Sequence, residues 1–321
     1  MRRGASRERL RPLRVLATLL LVASVTALVI GAIATDRWHW SQWIWWIPRG
    51  ALALAALPAL LVALIAIGTR RTRWSVITLL CALIPVLWFA VADIGWRRWQ
   101  PKPQRFDGAI HIIHWNASSP GSRAGAPASE ALLARDADIV IVTNAYKLLG
   151  DGRIELWRDA GYEIVPTGPF LVASRWPILE ARVISAVERR LLGRARISVA
   201  GREWTILAVD LPSDARLSRS DLAERFRAES AQHDADGADL IVGDFNITRG
   251  SASIRSMFPG FRHAFDEAGI GFGATWPRRL PFMHIDHMLL GSPVECHGYR
   301  IIDVAERPHL AQEAIIAPRA Q

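Results

Sequence analysis

The sequence predicts a chain in two parts: three membrane-crossing helices, then a soluble domain that mixes many strands with a few helices. Three observations predict this. Three long apolar segments fill the N-terminal third, and short apolar runs alternate with helical patterns through the rest. The charge divides at the same place. Residues 1–105 hold 15 Lys+Arg against 3 Asp+Glu, a balance of +12, and residues 106–321 hold 24 against 27, a balance of −3. A length of 321 residues accommodates one large domain and a further part.

The apolar segments run from about Val15 to Thr35, Ile44 to Gly68 and Trp74 to Ile94. Each reaches the ~20 residues needed to span a bilayer, and none has the polar face of a surface helix. Read alone, the first resembles a signal peptide with an Arg-rich start, but its core is long for one and two more segments follow. Pro58 and Pro85 fall inside the second and third, where neighbouring helices tolerate them. Arginine placement sets the orientation. The tail of residues 1–14 carries Arg2, Arg3, Arg7, Arg9, Arg11 and Arg14, and the loop after the second segment carries Arg70, Arg71 and Arg73. Both are expected in the cytoplasm. Trp38, Trp40, Trp43, Trp45 and Trp46 suit the opposite interface. A multi-pass protein of the cell membrane follows, with its C-terminal domain outside the cytoplasm. Arg97, Arg98, Lys102 and Arg105 dissent, and lipid phosphates are their expected partners.

Residues 15–96 are thus the transmembrane region, 97–106 a Pro-containing linker and 107–321 the soluble domain. The two cysteines, Cys81 and Cys296, fall in different parts, so no intrachain disulfide is expected, and no zinc spacing is present. Within the domain, strands are expected at Ile110–Trp115, Ile139–Val142, Glu163–Val165, Phe170–Ser174, Arg196–Ala200, Trp204–Val209, Leu240–Val242, Ile285–Leu290 and Ala314–Ala317. Helices are expected at Ser129–Arg135 and Leu217–His233, with short ones at Arg255–Met257 and Ala264–Ala268. Residues 117–129 read as a small-residue loop. Periodicity alone does not separate a two-sheet sandwich from a doubly wound sheet.

The most informative stretch is ADLIVGDFNIT. An apolar run, Leu240 to Val242, stops at Gly243, and Asp244 and Asn246 follow on one face at the strand's C-terminal edge. An Asp takes a proton from water, and an Asn holds a phosphoryl oxygen without adding negative charge. A strand followed by an Asx turn is the bland alternative. Other motifs accompany this one in order: IIHWNAS with Asn116, FGATWPRR, HIDHMLL, and RPHLAQEAII with His309.

From about residue 107 to 318, this succession resembles the endonuclease/exonuclease/phosphatase superfamily of DNase I-like nucleases and inositol-phosphate phosphatases. The resemblance implies a four-layer α+β sandwich, two packed β-sheets flanked by helices. It implies that Asn116 helps position metal and phosphate, that Asp244 orients or deprotonates the attacking water, and that Asn246 stabilises phosphoryl oxygens. Asp286 then orients His309, and His287 and Asp210 line the phosphate site. Thr275-Trp276-Pro277 matches a loop segment that shapes it. The implied cofactor is Mg2+ or Mn2+, held by Asn116, Asn144 and Asp210.

Departures from the pattern matter equally. A Gln-Glu whose Glu ligates metal is replaced by Thr143-Asn144, a His-Leu by Asp210-Leu211, and a Ser-Asp before the last His by Arg307-Pro308. Two acidic metal-side groups are missing, and hard cations favour carboxylates. Two explanations compete. Either Asp210 supplies the carboxylate that Asn144 does not, and the domain hydrolyses a phosphoric ester or anhydride, or catalysis is lost and a membrane-anchored binding module remains. For an enzyme, the tether suggests a polyprenyl pyrophosphate or similar lipid phosphate at the outer surface. Extracellular DNA is the runner-up, disfavoured by the net-acidic domain.

Overall fold

The computed structural model of the chain describes residues 2–69, 73–94, 106–118, 122–146, 148 and 153–319. Arg70, Arg71 and linker residues 97–105 lie outside the described residues. The chain divides into two compact units, Met1–Trp96 and Arg97–Gln321.

The first unit contains α1 (Arg2–Ala34), α2 (His39–Trp45), α3 (Arg49–Thr69) and α4 (Arg73–Ala92). The stretches Pro12–Ala34, Arg49–Ala66 and Arg73–Ala92 are long and apolar enough to cross a membrane. Leu19, Leu54, Ile65 and Leu80 are exposed on these helices, as lipid-facing side chains are. The second segment begins later than Ile44. The tryptophan-rich stretch forms its own short helix, α2, and Pro48 separates it from α3. Arg49 Nε lies 3.0 Å from Asp93 Oδ2, tying the start of α3 to the end of α4.

The second unit is built on two six-stranded sheets. β1 (Ile110–Asn116), β2 (Ile139–Thr143), β3 (Glu163–Thr167) and β4 (Phe170–Ser174) belong to one, β5 (Ile178–Val187), β6 (Arg190–Val199), β7 (Arg202–Asp210), β8 (Leu240–Asp244), β9 (Arg262–His263) and β10 (Asp286–Leu290) to the other. β11 (Val294–Ile302) and β12 (Ala311–Pro318) return to the first. The strand orders are β11-β12-β1-β2-β4-β3 and β5-β6-β7-β8-β10-β9. Among the strands of the described residues, β1/β2 and β7/β8 pair in parallel and the other neighbours antiparallel. Ile112, Ile141 and Val172 of one sheet meet Ile206, Val242 and Met288 of the other across a shared core. Helices cover the outer faces. Leu132 of α5 (Ser122–Leu133) and Trp157 of α6 (Arg153–Asp159) pack on Ile113 and Val140. Phe226 of α7 (Arg219–Ala231) and Met257 of α8 (Ala252–Met257) pack on Leu207 and Ile241. The order helix, sheet, sheet, helix is the four-layer sandwich, and the doubly wound alternative is excluded.

Several elements differ from expectation. The stretch expected as a loop at 117–129 holds the first turns of α5, with residues 119–121 outside the described set. β5 and β11 were not anticipated, and β6 starts six residues before Arg196. Gly193 interrupts the apolar pattern of β6 for a packing reason: a Cβ there would stand 2.7 Å from the Phe170 ring of the facing sheet.

Candidate active site

Side chains alternate between faces along a strand, so the core residues fix which way the polar ones point. Ile110 and Ile112 of β1 face the other sheet, and His114 and Asn116 share that face. By the same parity Ile206 and Ala208 place Asp210, Leu240 and Val242 place Asp244, and Met288 and Leu290 place Asp286. All therefore lie on inter-sheet faces, at one end of the core.

Register then brings three carboxylates together. Asp210 pairs with Asp244 in parallel, and Asp286 pairs with Asp244 in antiparallel. They form one row across β7, β8 and β10, on strands about 4.8 Å apart. Gly243 permits the close approach of β7 and β8, because a Cβ there would meet the Val209 carbonyl oxygen at 2.0 Å. From the opposite sheet, Asn116 Nδ2 donates to Asp244 Oδ2 at 2.7 Å. Asn144, just beyond β2 at φ 52°, donates from Nδ2 to Asn116 Oδ1 at 3.3 Å. Its side chain also acts on Asp210 from the other sheet, favouring the ionised carboxyl. Asn246, at φ 50°, donates its backbone N–H to Asp244 Oδ1 at 2.9 Å and its Nδ2 to the Leu211 carbonyl at 2.8 Å.

His309 comes from the connection between β11 and β12. The Trp115 indole donates to its carbonyl at 3.2 Å, and the next residue, Leu310, donates its N–H to the Thr275 carbonyl at 2.8 Å. Its Nδ1 lies 2.9 Å from Asp286 Oδ2, and its Nε2 lies 3.9 Å from Asp244 Oδ2. Thr275 serves both partners, since its Oγ1 also accepts the backbone N–H of Asp286 at 3.2 Å. That gives the TWP segment a concrete part in shaping the site.

The electrostatics follow from burial and crowding. Burial and the Asp286 charge push the Asp244 carboxyl well above the carboxylate range, against the His309 charge and the Asn246 N–H. Burial also lifts Asp210, to about 6, helped by the Asp286 charge and opposed by the Asn144 side chain. For His309 burial works downward, but the charge and hydrogen bond of Asp286 prevail and raise it to about 9. Burial likewise opposes the ionised form of Asp286, and His309 overcomes it, so that carboxyl sits below its ordinary value. Three carboxyls thus crowd the His309 imidazole, with the Arg189 charge acting on Asp210 besides.

This surplus bears on a metal. Asp210, Asp244, Asn116 and Asn144 carry oxygen donors, the set that hard divalent cations take. The Asn116 oxygen accepts from Ser118 N–H at 2.8 Å and Asn144 Nδ2 at 3.3 Å, and would release one of these to take an ion. Two of the carboxyls are raised, by burial first and then by the neighbouring carboxylate charge, which the His309 charge and, for Asp210, the Arg189 charge offset only in part; a bound cation relieves that condition. The donors fit such an ion, with Asn144 contributing a carbonyl oxygen where a carboxylate is expected. Asp244, Asp286 and His309 also lie close enough together to hold an ion, but His309 Nδ1 is engaged by Asp286.

His287 does not join this group. One residue past Asp286, it projects from the opposite face of β10 into a second buried cluster with His263 and His284. The Phe265 N–H donates to His263 Nδ1 at 3.1 Å, which leaves His263 Nε2–H to donate to His287 Nδ1 at 2.7 Å. His287 Nε2–H then donates to the Ile247 carbonyl at 2.7 Å. The lone pairs of His263 and His287 are spent on these bonds, so the two rings form a hydrogen-bonded chain that turns away from the carboxyl row. A third polar chain was not foreseen. Tyr299 OH donates to Gln312 Oε1 at 2.6 Å, and Gln312 Nε2 lies 2.8 Å from His114 Nδ1, under the site. His114 offered no motif signal, only its parity with Asn116.

The profile of the Endonuclease/Exonuclease/phosphatase family matches residues 113–306, more than half of the chain, and the chain belongs to that family. Its members are hydrolases that act on phosphate esters and generally use divalent metal ions. Among solved structures, a family protein from Bacteroides thetaiotaomicron aligns at 14% identity and a TM-score of 0.52, over 66% of this chain and 99% of its own. A mannosyl-6-phosphatase of the same organism aligns at 13% identity and a TM-score of 0.51, over 65% of this chain and 99% of its own. A humanized D. rerio TDP2 aligns at 15% identity and a TM-score of 0.51, with the same coverages of 65% and 99%. These likenesses are of fold. No curated protein matches the chain.

Proposed function

We propose that this protein is a membrane-anchored hydrolase of a phosphoric ester or anhydride, acting on a lipid phosphate or pyrophosphate at the outer membrane surface. The observation that carries the reading is the row Asp210–Asp244–Asp286 with His309 held against it. Asp244 has one oxygen fixed by Asn116 and the other by the Asn246 N–H, which aims the carboxylate for taking a proton from the attacking water. His309, with its pKa raised to about 9, is an imidazolium at neutral pH. It sets a positive hydrogen-bond donor where negative charge develops on the phosphoryl oxygens. Asp286 fixes the ring's orientation, and Asn246 is the further phosphoryl partner. Mg2+ or Mn2+ at Asn116, Asn144 and Asp210 would neutralise phosphoryl oxygen charge. The tether rests on the three apolar helices, and the outside orientation on the arginines of the tail and of the loop before α4.

A membrane-anchored binding module is the second reading, favoured by one observation: Asn144 is uncharged and engaged with Asn116 and Asp210. The test is Mg2+- and Mn2+-dependent phosphate or nucleotide release by the detergent-purified full-length protein beside Asp244→Asn. The substrates are a polyprenyl pyrophosphate, a phosphodiester reporter and DNA. Metal-dependent turnover that vanishes in the variant supports the hydrolase, and preference for DNA would replace the lipid by a nucleic acid. Equal, background release by both folded proteins would leave the binding role.

A further inference from the structure

Between α9 (Ala264–Ala268) and β10 the chain forms a small hairpin that the proposed chemistry leaves unused. The Phe282 and Met283 N–H groups donate to the Trp276 carbonyl at 3.0 and 2.9 Å, and Leu280 N–H donates to the Pro277 carbonyl at 3.1 Å. The base of the hairpin is fastened to the site. Thr275 binds the backbone of Asp286 and Leu310, and Arg278 N–H donates at 2.7 Å to the carbonyl of Pro308, the residue before His309.

The tip turns apolar side chains to solvent. Leu280 is 74% exposed and Phe282 41%. Trp276 is half-buried, edge-on to Phe282 at 5.9 Å. Other exposed apolar residues of this unit, such as Leu156, Leu179 and Leu217, sit on separate elements. Arg278 is ion-paired with Asp303 at 2.8 Å. Arg279, exposed beside Leu280, has no ion pair among the described residues.

We propose that this tip docks into the headgroup–acyl boundary of a lipid bilayer, with Leu280 and Phe282 among the acyl chains and Arg279 on lipid phosphates. The proposal rests on the lipid-phosphate reading and deepens it, since the docked tip brings headgroups to His309. Leu, aromatic and Arg side chains together form the set that settles at such a boundary. The occupant follows from the chain itself, which carries three helices fit to cross a membrane. The 17 residues between Ala92 and Ile110 extend to at most about 60 Å, so the domain stays beside that bilayer.

The test uses the full-length protein in lipid nanodiscs with an environment-sensitive fluorophore on Leu280→Cys, in a Cys81→Ser background. Cys296 does not compete for the label, because burial pushes its thiol up to about 12. The control carries the label on Leu179→Cys. Nitroxide-bearing lipids are expected to quench the label at 280 several-fold more than the label at 179, with iodide quenching reversed. Quenching by lipid should strengthen in anionic bilayers, and Arg279→Gln should abolish that increase. Iodide quenching at 280 equal to that at 179 would overturn the proposal, as would protection from both quenchers, the mark of a protein partner. In a second arm, Leu280→Asp is expected to lower turnover of a vesicle-borne polyprenyl pyrophosphate about tenfold and leave a water-soluble phosphodiester reporter unchanged. Equal turnover of the vesicle substrate by both proteins would overturn the link to catalysis. If the parent protein turns over nothing, the hydrolase reading fails, while the quenching arm still decides the docking.

Discussion

Asp286 and His287 are adjacent in the sequence and belong to two unlike buried clusters. On one face of β10, three carboxyls crowd around a single imidazolium, and Asp286 Oδ1 is buried without a hydrogen-bond partner. On the other face, His263 and His287 pass hydrogen bonds in one direction and end on a backbone carbonyl. The first cluster is electrostatically incomplete, and under the proposed function a substrate and a cation would complete it. In the second, His263 and His287 satisfy each other and the backbone. Both consist of titratable groups at close range, so proximity does not separate a site from a brace. Unbalanced charge does.

The sharpest way to break this comparison is Asp244→Asn. Phosphate release by the full-length protein should fall about 10³-fold, within the range for a lost general base. Its melting temperature in detergent should hold or rise, because a buried carboxyl beside Asp210 and Asp286 is removed. A melting point lowered as by a core deletion would place Asp244 with the braces. His309→Gln should cost about 10²-fold in single-turnover rate with the circular dichroism unchanged. His287→Ala should do the opposite, losing about 2 kcal/mol in urea unfolding by leaving His263 and the Ile247 carbonyl unpaired. Its turnover per folded molecule should stay near that of the parent.

The smallest effect is in pH. Burial lowers His287 from 6.5 to about 4, against the Asp286 and Asp266 charges and with that of Arg249, while His263 and His284 pack on its ring. A base whose folded pKa is depressed binds its proton first in the unfolded chain. Its contribution is therefore full above about pH 6.5 and lost as pH falls toward 4. Urea titrations of parent and His287→Ala across that window should converge on acidification. Parallel curves would show that His287 is not held neutral.

The motifs named most of the residues that the structure brings together. Gly243 to Asn246 announced a strand ending in polar groups, but parity along β1, β7 and β8 was not readable, because Ile112 adjoins Ile113, Ile206 adjoins Leu207 and Val242 lies between Ile241 and Gly243, so both faces are apolar. His287 was grouped with Asp286 by adjacency, although neighbouring residues of a strand face opposite ways. The His114–Gln312–Tyr299 chain joins residues 114, 299 and 312, which only the pairing of β1, β11 and β12 brings together. β5 escaped notice because its residues are half exposed and balanced by ion pairs such as Glu180 with Arg182 and Arg194, so no apolar alternation marks it.

The row across β7, β8 and β10 has one more consequence. Its spacing is the lattice constant of a sheet, set by backbone ladders and not by side-chain choice. Distances among the three carboxyls are thus insulated from the loops, while Thr275 through Met283 can lengthen, shorten or change character at the rim. In such a scaffold, what is recognised is free to diverge while the reaction stays in register.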